Sequence, residues 1–172
     1  CAVASVAVLC YGLATECSFQ HGSDALDPLP FKVTVGCEKD PLLRRKFEQS
    51  NPSLVKDGTS FDDMRTLVQG LQDGSIPVER VRTDGCFITP PCYNNTILKW
   101  ENGLGNTTHR DADLFSLQVD YIAITKPEWV LCEMTPPHSH AYLQHRDVER
   151  RLSQLGYYVT VTDRFPSAHC GD

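Results

Sequence analysis

The stretch DGCFITPPC, from Asp84 to Cys92, combines a predicted strand with two prolines that end it. From Cys86 to Ile88 the stretch is an apolar run, as expected of a parallel strand that is covered on both faces. The strand ends at two prolines, which cannot donate to a sheet and which disfavour a following helix. The stretch therefore predicts a buried strand that displays Cys92 just beyond its carboxyl end.

Outward from this stretch, short apolar runs alternate with helix-like segments, which is typical of a parallel sheet with crossover helices. The predicted strands are Ser5–Cys10, Lys32–Cys37, Ser53–Lys56, Cys86–Thr89, Trp129–Cys132 and Tyr157–Thr162. The predicted helices are Pro41–Gln49, Asp111–Thr125 and His145–Leu155, and the predicted long loops are Gln69–Pro77 and Tyr93–Arg110. We expect a single domain over residues 1–172, of the α/β class, with a doubly wound, mostly parallel sheet.

Two details of the predicted helices follow from their residue spacing. An apolar stripe on the second helix is formed by Leu114, Leu117, Tyr121 and Ile124. The third helix ends at Gly156, a residue that readily adopts the left-handed cap conformation.

Composition and charge exclude several classes of protein. The 172 residues are 41% hydrophobic, and no apolar run is long enough to cross a bilayer, so a membrane partner is not expected. The apolar opening Ala2–Leu9 lacks the basic flank of a signal peptide and is interpreted as a core strand. The net charge of −6 has the wrong sign for a domain that grips a phosphate backbone unaided. Any nucleic-acid contact must be local or come from another region.

The eight cysteines favour a reduced, intracellular protein, because four of them lie in or beside predicted strands, where cysteine acts as a small hydrophobe. The four are Cys10, Cys37, Cys86 and Cys132. A secreted, disulfide-bonded domain remains the alternative, since Asn94-Asn95-Thr96 and Asn106-Thr107-Thr108 match the glycosylation acceptor pattern. No cysteine pair has the close spacing of a structural zinc site, so no metal is predicted.

Two residues at predicted strand ends are candidates for chemistry. A thiol such as Cys92, displayed after a strand, acts as a nucleophile when its surroundings lower its pKa. The alternative is an ordinary loop cysteine. Glu133 follows the fifth predicted strand among apolar residues, where desolvation favours the protonated carboxyl group at neutral pH. Its alternative role is a helix cap or an ion pair.

The order of these motifs resembles that of the cytosine-5 DNA methyltransferase family. Asp84–Cys92 is similar to the strand and Pro-Pro-Cys turn that hold the nucleophile of the family. Further segments resemble its other blocks in the same order: Leu9–Thr15 the cofactor loop, Arg110–Phe115 the next helix, Lys126–Met134 the Lys-Pro…Glu-Asn-Val block, and Leu152–Val159 the Leu-x-x-Leu-Gly-Tyr-x-Val segment.

The resemblance implies a Rossmann-like methyltransferase fold that binds S-adenosylmethionine. It makes Cys92 the nucleophile that adds to cytosine and Glu133 the acid that protonates its ring nitrogen. It places Glu38 on the ribose hydroxyls and Asp57 near the adenine, with Asp62 as the rival of Asp57. The full implied set of cofactor-binding residues is Tyr11, Gly12, Leu13, Glu38, Lys39, Asp57, Gly58 and Pro91.

The resemblance also implies DNA as partner and, in a eukaryote, a nuclear location. The target-recognition region of the family would lie beyond Asp172, so we expect it to be absent from these 172 residues. Some positions depart from the family pattern, among them Ala14, Thr15 and Tyr93. The alternative function is therefore a non-catalytic module of the same fold that binds cofactor or partners.

Overall fold

The computed structural model describes residues 4–10, 31–89, 114–132 and 142–161, which form strands and helices in alternation. The strands are β1 (Ala4–Cys10), β2 (Phe31–Cys37), β3 (Ser60–Phe61), β4 (Gly85–Thr89) and β5 (Trp129–Cys132). The helices are α1 (Pro41–Ser50), α2 (Pro52–Asp57), α3 (Met64–Asp73), α4 (Val78–Val81), α5 (Leu114–Thr125) and α6 (Tyr142–Gln154).

The five strands form one sheet in the order β3-β2-β1-β4-β5, and each neighbouring pair is parallel. The predicted α/β class and parallel pairing are therefore confirmed. Four predicted strands are also confirmed, and they correspond to β1, β2, β4 and β5. The predicted loop Tyr93–Arg110 lies outside the described residues.

One face of the sheet packs on the main hydrophobic core. Val35 and Cys37 of β2 join Cys86 and Ile88 of β4 in this core. The helices α3, α5 and α6 cover it with further buried residues: Met64, Leu67, Val68, Leu71, Leu114, Val119, Tyr121, Ile122, Val148 and Leu152. The four residues of the predicted stripe on α5 all contact this core, two of them fully buried.

The opposite face of β2 is covered by α1 and α2. A side chain at Gly36 would collide with Phe47 of α1 and press on Leu54 of α2. Gly36 lies between Val35 and Cys37, and successive residues of a strand face opposite sides of a sheet. Helices therefore pack against both faces of β2, and glycine is required where α1 approaches most closely.

The third predicted strand is wrong, because Ser53–Lys56 lies within α2. Pro52 occupies the first turn of that helix, and Gly58 ends it in the left-handed conformation at φ 65°. The observed third strand is the two-residue β3, which follows the helix.

Two further predictions fail against the structure. Most of the predicted loop Gln69–Pro77 is helical, because α3 continues to Asp73 before Gly74 ends it. The predicted sixth strand, Tyr157–Thr162, is not a strand over its described residues 157–161. Tyr158 is almost fully exposed there, whereas Tyr157 and Val159 pack against the core.

The predicted helix ends are close to those observed. Asp40 caps α1 by accepting from the backbone amides of Leu42 and Leu43, and Pro41 occupies the first turn. Gly156, at φ 95°, follows α6 as expected. None of the described helices combines the length and the apolar character needed to span a membrane.

Candidate functional site

The ends of β4 and β5 lie side by side in the sheet. Their register pairs Gly85 with Trp129 and Ile88 with Cys132. Because parallel strands run in the same direction, both finish at the carboxyl edge of the sheet, the side at which all five strands end. From β4 the sequence continues into Pro90, Pro91 and Cys92, and from β5 it continues into Glu133. These four residues lie outside the described ranges.

The register of β4 and β5 is fixed at their amino ends. The backbone amide of Glu128 donates to the carbonyl of Asp84 over 2.7 Å. A side chain at Gly85 would collide with the Trp129 ring, which lies across this position. A shift of β5 by one residue would move that ring to the other face of the sheet. The carboxyl ends of the two strands are therefore held level.

Glu38 is a buried acidic residue at the carboxyl edge. It follows β2 directly and is only 2% exposed. Its Oε1 accepts from the backbone amide of Asp40 over 2.7 Å, and its own amide donates to the Phe61 carbonyl of β3 over 3.0 Å. The structure thus confirms an acidic residue at the end of the second strand. Its contact with a ribose stays a prediction, as does any cofactor contact of the half-buried Lys39.

Arg44 joins the ends of β2 and β3, a role that sequence reasoning missed. Its Nη1 donates to the carbonyl of Glu38 over 3.4 Å and lies 3.9 Å from Oδ2 of Asp62. Its Nε lies 3.8 Å from Oε1 of Glu48. The spacing of Arg44 and Glu48, four apart on a helix, was the available signal. Arg44 therefore links the segment that follows β2, at Glu38, to the segment that follows β3, at Asp62.

The position assigned to Asp57 needs correction. Asp57 ends α2 and precedes β3, so the prediction that it follows a strand is wrong. The carbonyl oxygens of Asp57 and Gly58 accept from Arg80, over 3.3 and 2.8 Å. Asp62, the rival, follows β3 directly and is exposed. The carboxyl edge next to Glu38 is therefore occupied by Asp62.

Thr89 is a second residue that sequence reasoning missed. It is the last residue of β4 and is 4% exposed, yet within the described part of the chain its Oγ1 has no hydrogen-bond partner. Buried hydroxyl groups in folded proteins are almost always hydrogen-bonded. No sequence pattern distinguishes this threonine from a satisfied one, because the difference depends on tertiary neighbours.

The other predicted cofactor contacts, Tyr11, Gly12 and Leu13, lie outside the described residues. Over the described ranges, no three His, Cys, Asp or Glu side chains are grouped as metal ligands. Cys37 and Cys86, both buried, and the half-buried Cys132 are present as thiols. The sequence matches no protein-family model and no curated protein.

Proposed function

We propose that this chain is the catalytic, cofactor-binding part of a cytosine-5 DNA methyltransferase. The observation that carries the proposal is the parallel pairing of β4 with β5. The two strands end level, and each is followed within a few residues by one of the two reacting groups, Cys92 and Glu133. Two groups that follow neighbouring strand ends can approach one planar base from the same edge of the sheet.

The strand order supports a doubly wound fold with a ligand site at the carboxyl edge. The order β3-β2-β1-β4-β5 is that of the first five strands of the dinucleotide-binding arrangement. In that arrangement the order reverses between β1 and β4, and ligands bind beyond the ends of these two strands. The segment that resembles the family's cofactor loop, at Gly12, follows β1 in the sequence, and the Pro-Pro-Cys motif, at Cys92, follows β4.

The residues at this edge fit S-adenosylmethionine. The buried Glu38 carboxylate at the end of β2 suits the hydroxyl groups of a ribose, which are hydrogen-bond donors. Asp62, after β3, stands where a contact with the adenine was expected of Asp57. The cofactor, when bound, supplies the methyl group.

In the proposed reaction, the target cytosine leaves the base stack, because its reactive carbon is inaccessible within a duplex. The Cys92 thiolate adds to C6 of the ring while the carboxyl group of Glu133 protonates N3, which offsets the charge that develops. C5 becomes nucleophilic and accepts the methyl group. That transfer leaves the demethylated cofactor, S-adenosylhomocysteine, as the other product. Removal of the C5 proton by a base then expels the Cys92 thiolate, and N3 returns its proton to Glu133, which restores the neutral aromatic ring.

The charge of the chain bears on its DNA contacts. A net charge of −6 does not favour binding of a DNA phosphate backbone over the whole protein surface. We propose that the contacts are confined to the carboxyl edge, supplemented by a separate recognition region. In a eukaryotic cell this function places the protein in the nucleus.

Covalent trapping tests the proposal. The chain, and any natural continuation of it, is incubated with S-adenosylmethionine and DNA containing 5-fluorocytosine, whose C5 fluorine cannot be removed as a proton. We expect a complex that survives denaturing electrophoresis. Cys92→Ser abolishes the complex, whereas the matched control Cys132→Ser, at the end of β5, retains it. We also expect Cys92→Ser to fold normally, because the sequence predicts an accessible side chain that contributes little to packing.

Two results contradict the proposal. An adduct that persists in Cys92→Ser assigns the nucleophile elsewhere. Absence of any adduct, with cofactor binding shown by calorimetry, leaves the non-catalytic module as the function.

A further inference from the structure

Thr89 places a buried hydroxyl group at the carboxyl edge of the sheet. Within the described residues, Oγ1 of Thr89 makes no hydrogen bond although the residue is only 4% exposed. The hydroxyls of Thr34 and Thr59 are also unsatisfied, but Thr34 lies inside β2 and Thr59 precedes β3. Thr89 alone of the three ends a strand at the carboxyl edge. An unsatisfied buried hydroxyl costs stability, so it calls for an explanation.

Thr89 and Glu38 lie on the same face of the sheet. Cys86 and Ile88 face the main core, so the alternation of a strand places Phe87 and Thr89 on the opposite face. In β2, Val35 and Cys37 face the core, so Glu38, one residue further, also lies on the opposite face.

The strand register sets the distance between the two residues. On one side of β1, Leu9 pairs with Cys37, and on the other side Cys10 pairs with Thr89. Glu38 and Thr89 therefore stand at about the same level, on either side of the end of β1. Two strand spacings separate them, which is about 10 Å. A ligand with a ribose at one end and a polar tail at the other fits this separation.

We propose that Thr89 is a ligand-binding residue whose hydroxyl donates a hydrogen bond to the carboxylate of the amino-acid portion of S-adenosylmethionine. Glu38 accepts from the ribose of the same molecule, so the two buried groups hold the ligand at both ends. A carboxylate is the acceptor that best offsets the free-energy cost of burying a hydroxyl group, because charge-assisted hydrogen bonds are the stronger class. This inference rests on the proposed function, since it assumes that cofactor.

Calorimetry with two probes tests the inference. S-adenosylhomocysteine carries both the ribose and the amino-acid tail, whereas adenosine carries only the ribose. We expect Thr89→Val to weaken S-adenosylhomocysteine binding about tenfold and to leave adenosine binding unchanged. Thr89→Ser, which keeps the hydroxyl, retains affinity for both. Glu38→Gln weakens both.

Thermal denaturation without ligand separates a binding role from a structural one. Thr89→Val keeps the side-chain shape and removes an unsatisfied hydroxyl, so the melting temperature rises. A fall in melting temperature shows that the hydroxyl stabilises the fold, which overturns the inference. Unchanged S-adenosylhomocysteine affinity in Thr89→Val also overturns it and leaves the proposed function standing. Failure of the unsubstituted chain to bind S-adenosylhomocysteine overturns both.

Discussion

At the scale of single residues, Tyr121 shows how one polar group fixes the packing of a helix. Its hydroxyl is fully buried and donates to the carbonyl of Val81 over 2.8 Å, which joins α5 to the end of α4. Thr125 Oγ1 donates to the carbonyl of Tyr121 over 2.8 Å, one turn further along α5. Burial raises the pKa of Tyr121 well above its ordinary value, because the phenolate cannot be solvated there.

The raised pKa predicts a loss of stability in alkali. The folded protein retains the Tyr121 proton at pH values where the unfolded chain releases it. The contribution of Tyr121 to the free energy of unfolding is therefore complete below about pH 10 and is lost as the pH rises. Tyr121→Phe lowers the free energy of unfolding at pH 8 by about 1–2 kcal/mol, since the Val81 carbonyl loses its donor. The same substitution makes the decline in the free energy of unfolding above pH 10 shallower. Urea unfolding at pH 8 and pH 11 measures both effects.

The decline does not vanish in that variant, because burial also raises the pKa of Tyr157. Tyr157 is half-buried and donates to the carbonyl of Pro127. A pH dependence that is identical with and without the Tyr121 hydroxyl would contradict this account.

Two acidic residues show how far single positions could be predicted. Glu38 follows a clear apolar strand, so its place at the carboxyl edge could be predicted and is confirmed. The choice between Asp57 and Asp62 depended on which of two short segments pairs with β2. That pairing depends on contacts between separate segments of the chain, and in the structure β2 pairs with Ser60–Phe61.

At the scale of elements, α3 was predictable and was missed. Met64, Leu67, Val68 and Leu71 have the spacing of a buried helix face, and all four are buried. Gly70 and Gly74 favoured a loop instead. Gly70 is tolerated inside the helix because Ile76 packs where its side chain would be, with the nearest atom 2.6 Å from that position. The loop signal of one glycine therefore gave way to the packing of the Ile76 side chain against the helix.

The docking of α6 onto α5 gives a prediction with a matched control. Arg151 of α6 donates to Asp120 and Ser116 of α5, and the ion pair is largely shielded, at 24% and 34% side-chain exposure. The preceding Arg150 pairs with Asp147 on its own helix, at 58% and 51% exposure. We expect Arg151→Ala to lower the free energy of unfolding by about 1 kcal/mol and Arg150→Ala by less than about 0.5 kcal/mol.

Chemical denaturation of the two alanine variants measures this difference. Added salt should weaken the effect of Arg150→Ala first, because exposed pairs are screened more strongly. Equal losses in the two variants would show that the ion pair between α5 and α6 stabilises the fold no more than the ion pair within α6.

At the scale of the whole molecule, the thiols distinguish a reduced protein from a disulfide-bonded one. We expect all eight cysteines to react with a thiol reagent in denaturant. In the native protein, Cys37 and Cys86 remain unlabelled because both are buried in the core. Mass spectrometry of labelled peptides measures the protection of each. Fewer than eight thiols under non-reducing denaturing conditions would support the secreted alternative.

Sequence patterns alone predict the α/β class, four of the five strands in the described residues, and an acidic residue after β2. These features depend on local signals, namely apolar runs, prolines, caps and turn residues, which act over a few positions. Three features became clear only from contacts in the folded protein: which strands are neighbours, that Asp62 and not Asp57 follows β3, and that the buried Thr89 hydroxyl has no partner within the described residues. Strand order, register and burial arise from contacts between residues far apart in the chain, and those contacts leave no signature in a single local stretch.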